Sequence, residues 1–192
     1  VRFPLESSVI TIGGMAKGSG MIAPNMATML AFVTTDAVIT PSALQSALRV
    51  ANSRSFNRVT IDGDTSTNDM VLVLANGFAK NEEIHENTPA YKQFLTALEY
   101  VLIKLAKMIA RDGEGATKFV EIVVHGARSE EEAVQAARAV ANSNLVKTAL
   151  HGADANWGRI LCAVGYSGID FNPENVEISF NDLIVLKKNY EI

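Results

Sequence analysis

Gly13-Gly14-Met15-Ala16-Lys17-Gly18-Ser19-Gly20-Met21-Ile22-Ala23-Pro24-Asn25-Met26-Ala27-Thr28-Met29-Leu30 is the stretch around which this 192-residue chain is organised. Glycines and a lone lysine come first. A Pro-Asn turn signal follows, then Ala-Thr entering an apolar run. Glycine permits positive φ and lets backbone N–H groups approach a ligand closely. No charge falls between Lys17 and Asp36. An ordinary core strand does not have this composition, so the stretch predicts a loop linking two strands. One strand is residues 9–12 (Val-Ile-Thr-Ile), β-branched and alternating. The other is residues 29–35 (Met-Leu-Ala-Phe-Val-Thr-Thr), apolar enough to be buried. Thr28, just past the turn, presents its hydroxyl to a substrate or to its own preceding carbonyl.

Outward from this stretch, strand and helix signals alternate. Thr40-Pro41 opens a helix, threonine capping and proline at the first helical position, with Leu44, Ala47, Leu48 and Ala51 as its apolar stripe. Residues 56–61 read as a strand. The polar loop Asp62-Gly63-Asp64-Thr65-Ser66-Thr67-Asn68-Asp69 follows, and Asn68 or Thr67 would cap a helix over residues 70–75. Thr88-Pro89 repeats the start signal for a longer helix carrying Phe94, Leu98, Leu102, Leu105 and Ile109, which ends near Gly113. Residues 118–124 read as a strand. Ser129 with Glu132 forms a capping box, and Ala133, Ala136, Ala137 and Val140 share one face of the helix it opens. Residues 144–150 read as a short strand, and residues 154–166 as a helix capped by Asp154. Residues 176–180 and 183–186 read as a hairpin turning at Asn181-Asp182. One-sided helices suit layers of helix packed on sheet, an α/β (α+β) architecture.

Composition narrows the classes. Apolar residues make up 48% of the sequence, enough for a sizeable core and against disorder. Seventeen basic and 21 acidic residues leave a net charge of −4, which argues against nucleic acid as a partner. The single cysteine, Cys162, cannot form an internal disulfide and reads as a small helix residue in a reducing compartment. Residues 1–4 lack the pattern of a signal peptide, and residues 18–35 hold too many turn formers and hydroxyls for a membrane helix. The reading is a soluble, cytoplasmic protein.

Four constellations have chemical content. The Gly-rich stretch is not a P-loop, because its order is Lys17-Gly18-Ser19. A threonine hydroxyl is a weak nucleophile unless a base stands beside it. One solution is a cleaved chain whose new N-terminal threonine supplies its own α-amine, with a pKa of about 7.7–8. A plain strand-edge threonine is the alternative. The loop from Asp62 to Asp69 half resembles a calcium loop, but Thr67 stands where glycine belongs and Val73 where glutamate does. It also suits an anion site at a helix start, or plain capping. In Arg111-Asp112-Gly113-Glu114-Gly115-Ala116-Thr117-Lys118, Glu114 is not needed to end the helix. It suits a substrate ammonium group, or it is a solvated loop acid. His151-Gly152-Ala153-Asp154-Ala155-Asn156-Trp157-Gly158-Arg159 suits a site rim or a subunit contact. His85, His125 and His151 lack metal-ligand spacing, so no metal is expected.

Together these stretches resemble the glutamate N-acetyltransferase / ornithine acetyltransferase family, the ArgJ family of arginine biosynthesis. The resemblance rests on residues 17–30, on Thr60-Ile61-Asp62-Gly63-Asp64-Thr65-Ser66-Thr67-Asn68-Asp69, on residues 111–118 and on Asn156-Trp157-Gly158-Arg159-Ile160. It implies a precursor that cuts itself between Ala27 and Thr28. Residues 1–27 would then end an α chain and residues 28–192 would begin a β chain, the pieces assembling as an α2β2 heterotetramer. It implies a layered α-β-β-α sandwich similar to N-terminal-nucleophile enzymes, present here as a partial chain. Thr28 matches the nucleophile, and Lys17 and Glu114 match substrate-binding residues. The implied reaction is ping-pong: N-acetylornithine acetylates Thr28, ornithine leaves, and glutamate departs as N-acetylglutamate. No cofactor is implied, and acetyl-CoA enters only as an alternative donor.

The resemblance also marks departures. The family's oxyanion-hole Thr-Gly pair lies upstream of the Gly-rich stretch, and its C-terminal Asn and Ser/Thr lie beyond this chain. An oxyanion donor is worth about 2.7–4 kcal/mol of barrier, so these residues alone should be nearly inactive. Two rival readings are an N-terminal-nucleophile amidase or aminopeptidase that passes the acyl group to water, and an assembly subunit with a dead site.

Overall fold

The computed structural model describes residues 1–23, 29–65 and 68–190. They form two compact units, Val1–Ala116 and Thr117–Ile192. The first is built on a four-stranded sheet, β1 (Arg2–Leu5), β2 (Ser8–Lys17), β3 (Leu30–Thr35) and β4 (Met70–Ala75), in that spatial order. The pairs β1–β2 and β2–β3 are antiparallel, and β3–β4 is parallel. Parallel neighbours need a crossover. Here α1 (Pro41–Ser53) lies within it, so β3, α1 and β4 make a βαβ unit.

Alternation sorts the sheet residues. Ile10, Ile12, Ala31, Val33 and Val73 are buried and meet Phe94, Leu98, Val101, Leu102 and Leu105 of α2 (Pro89–Arg111). Gly14 lets α2 approach the sheet, since a Cβ there would stand 2.9 Å from Val33 Cγ2 and 3.2 Å from Leu105 Cδ1. The buried face of α1 is all alanine, Ala43, Ala47 and Ala51. Tyr91 of α2 hydrogen-bonds Ser46 of α1 through its hydroxyl at 3.1 Å. Both expected threonine caps form: Thr40 Oγ1 accepts from Ala43 N, and Thr88 Oγ1 from Tyr91 N. The opposite sheet face exposes Met15, Phe32, Met70, Leu72 and Leu74.

Several expected elements differ. The β2 strand runs through Gly13 to Lys17, where a loop was expected, because each of these residues finds a β3 partner. The expected turn at Pro24-Asn25 lies outside the described residues, as do Ser66 and Thr67. Residues 70–75 form β4 rather than a helix. Their short apolar run fits either period, and pairing with β3 decides it. Residues 56–61 hold a 3-10 turn, Phe56–Arg58, with Phe56 buried, instead of a strand.

In the second unit, α3 (Glu130–Asn142), α4 (Asn144–His151) and α5 (Trp157–Gly165) gather around Val140, Val146 and Ala163. The Ser129 cap accepts from Glu132 N. Residues 144–150 are helical, not a strand. Ser143 accepts from Val146 N to start α4, and Val146 and Ala149 fall on its buried side. The cap of α5 is Asn156, which accepts from Arg159 N, not Asp154. Residues 118–124 belong to no ladder among the described residues. Their alternation half-buries Ile122 and Val124 without a neighbouring strand. The expected hairpin is present as β5 (Ile178–Phe180) and β6 (Leu183–Leu186), with Asn181 at φ 52° in its turn. Among the described residues no helix is long and apolar enough to cross a membrane.

Candidate functional site

The Gly-rich stretch leaves the sheet at Lys17, the last residue of β2 and the register partner of Leu30. Lys17 is exposed. Beyond it, Ser19 O accepts a 2.7 Å hydrogen bond from the backbone N–H of Glu114. The loop after α2 is thereby fastened to the stretch. The Glu114 side chain comes with it: a Cβ on Gly20 would stand 2.7 Å from Glu114 Oε2. Only glycine leaves that space free. Two of the expected site residues, Lys17 and Glu114, are therefore both placed along residues 17–20. Ala27 and Thr28 lie outside the described residues.

The structure adds two carboxylates from the ends of the Asp62–Asp69 loop, which the sequence offered as a half-formed calcium loop, an anion site or plain capping. Asp62 accepts from the backbone N–H of Met21 and, at 3.1 Å, from that of Ile22. Ile61 N donates back to Ile22 O at 2.8 Å. Met21 has φ 56°, a left-handed conformation that costs a side-chain-bearing residue roughly 1–3 kcal/mol. The Asp62 bonds help to hold it. On the other flank, Asp69 Oδ1 accepts from Met29 N at 2.6 Å, and Met70 N donates to Met29 O at 3.0 Å. Ile22 and Met29, both buried, are thus each gripped through N–H and C=O by one end of the same loop. No local pattern announces this, because the partners are 40 residues apart.

Asp69 Oδ2 is shielded from solvent and accepts no hydrogen bond from the described residues. Burial pushes the Asp69 carboxyl above its ordinary value, and the Met29 N–H bond opposes that rise. The Asp69 carboxyl is therefore easier to protonate in the folded chain than in the unfolded one. This group's contribution to stability falls as pH climbs above its ordinary 3.8 and through the raised folded value.

The stretch from His151 to Arg159 is occupied with structure. Asn156 Nδ2 donates to Asp154 Oδ2 at 3.0 Å, and Arg159 Nη1 donates to Leu145 O at 2.8 Å and Thr148 Oγ1 at 3.1 Å. The Arg159 contacts tie α5 to α4, and the Asp154 contact holds the side chain of Asn156, the α5 cap. Cys162 is exposed on α5.

Comparison with known sequences matches the ArgJ family over residues 1–191. The chain belongs to the ArgJ family. It is 59% identical over 186 residues to the arginine biosynthesis bifunctional protein ArgJ of Symbiobacterium thermophilum, covering 97% of this chain and 46% of that protein. Against the ArgJ protein of Oceanobacillus iheyensis it is 53% identical over 192 residues, covering 100% of this chain and 47% of the relative. The chain thus spans about half the length of these curated relatives. A crystal structure of the ArgJ protein from Bacillus halodurans superimposes with a TM-score of 0.81 at 50% identity, over 84% of this chain and 76% of that one. The mixed α/β architecture expected from the sequence is the fold shared with that ArgJ structure.

Proposed function

We propose that this chain is part of an acetyltransferase that moves the acetyl group of N2-acetylornithine to glutamate in arginine biosynthesis. Thr28 Oγ attacks the acetyl carbonyl, and its proton passes to the α-amine freed by cleavage at Ala27–Thr28. The tetrahedral intermediate collapses, ornithine leaves with a proton, and an acetyl ester remains on Thr28. The glutamate amine then attacks that ester, N-acetylglutamate departs, and the hydroxyl is regenerated. Residues 1–27 end the α chain and residues 28–192 begin the β chain of an α2β2 assembly working in the cytoplasm. Acetyl-CoA enters this scheme only as an alternative donor to the same hydroxyl.

One observation carries this reading. Glu114 is fastened by its backbone to Ser19 and rests its carboxylate against Gly20, on the same short stretch as Lys17. N-acetylornithine has an α-carboxylate beside the reacting amide and an ammonium at the far end of its side chain, and glutamate has the same α-carboxylate beside the amine that attacks. Lys17 suits the α-carboxylate and Glu114 an ammonium, and one site flanked by both charges serves two amino acids in turn. Family membership over residues 1–191 supports the same assignment.

The test uses the full-length protein with Thr28→Ala. This variant should remain one uncut chain by intact mass and should transfer no acetyl group. Normal turnover would sink the assignment. In the parent enzyme, acetyl release from N-acetylornithine should rise sharply on adding glutamate; indifference to glutamate would favour a hydrolase.

A further inference from the structure

We propose that Asp69 is a positioning residue for the Thr28 nucleophile: by accepting the Met29 N–H it fixes the peptide unit that joins Thr28 to β3. The inference rests on the reading of Thr28 given above and deepens it. The Met29 nitrogen is bonded directly to the Thr28 carbonyl carbon. A 2.6 Å charge-assisted bond to that nitrogen therefore restrains the plane of the peptide immediately after the nucleophile. The far side of the same residue is held as well, through Met29 O and Met70 N. Met70 in turn is paired in register with Leu30, so the anchor is part of the sheet.

Simple loop closure would not require this arrangement. A loop carboxylate is most cheaply placed in water, yet Asp69 Oδ2 is shielded and finds no hydrogen-bond partner among the described residues. Strained or costly groups of this kind persist where a site needs a fixed geometry. Asp62 does the same at Met21 and Ile22, so a single loop sets the backbone on both sides of the segment that contains the Ala27–Thr28 bond.

The experiment compares Asp69→Ala, Asp69→Asn and Thr28→Ala in the full-length protein. Three things are read: the cut fraction by intact mass, melting temperature, and steady-state acetyl transfer per cut enzyme. Asp69→Ala should slow the cut or lower kcat by about tenfold or more, with KM for N-acetylornithine and glutamate within about twofold, as misplaced reacting groups do. Asp69→Asn keeps an acceptor oxygen for Met29 N and should recover most of that loss. Three results would overturn the proposal: Asp69→Ala behaving as the parent, Asp69→Asn doing no better than Asp69→Ala, or a loss confined to KM. If Asp69→Ala does not accumulate as folded protein, Asp69→Gln, whose acceptor oxygen is displaced by one methylene, is compared with Asp69→Asn. A folded Asp69→Gln with kcat or cut rate about tenfold below that of Asp69→Asn supports positioning, and equal rates in the two overturn it. An inert Thr28→Ala beside a normal Asp69→Ala removes only the Asp69 role. An active Thr28→Ala removes the reading on which it stands.

Discussion

Gly20 and Glu114 show how little room separates the stretch from its acid. A methyl group at residue 20 would meet only the tip of a flexible, exposed side chain, so Gly20→Ala should leave the melting temperature unchanged while displacing the carboxylate. In the full-length enzyme it should raise KM for N-acetylornithine several-fold with kcat little affected. An unchanged KM would mean that Glu114 does not bind substrate. At this scale, Lys17, Thr28 and Glu114 stood out in the sequence because each has a residue type its surroundings do not need. Asp62 and Asp69 did not stand out. Aspartates in a polar loop are ordinary turn formers, and their partners Ile22 and Met29 lie far off in the chain.

Among elements, α2 organises the first unit. Leu102 is fully buried where this helix meets the sheet. Leu102→Ala should cost about 2–5 kcal/mol, read as a lower midpoint in chemical denaturation. A cost below about 1 kcal/mol would mean that α2 does not carry this core. The helix was legible in the sequence because Thr88-Pro89 marks its start and apolar residues recur every three or four positions along it. Residues 70–75 and 144–150 were not legible. The six apolar residues 70–75 satisfy both periods, and residues 144–150, with four apolar residues around Lys147 and Thr148, are too short for a period to show; β3 in one case and the Ser143 cap in the other decide. Residues 118–124 have the composition of a strand, but composition does not supply a neighbour to pair with.

For the whole molecule, the sheet poses the main question. Met15, Phe32 and Leu72 stand side by side in register on the face away from α2, and all three are exposed. Large contiguous apolar faces are seldom left to water. A layered α-β-β-α arrangement in the complete protein would place a second sheet on this one. In the full-length protein, Phe32→Asp should then lower the melting temperature by several degrees, because a charge would be buried without a partner. An unchanged melting temperature would leave this face in solvent. The order of the strands has one more consequence. The cleavage proposed between residues 27 and 28 would assign β1 and β2 to one polypeptide and β3 and β4 to another. The six paired positions from Ile12↔Thr35 to Lys17↔Leu30 would then lie between two molecules. Folding would turn into association, governed by mass action. The products could not be diluted apart without melting the sheet, and the heat stability of an enzyme so cut would depend on its concentration.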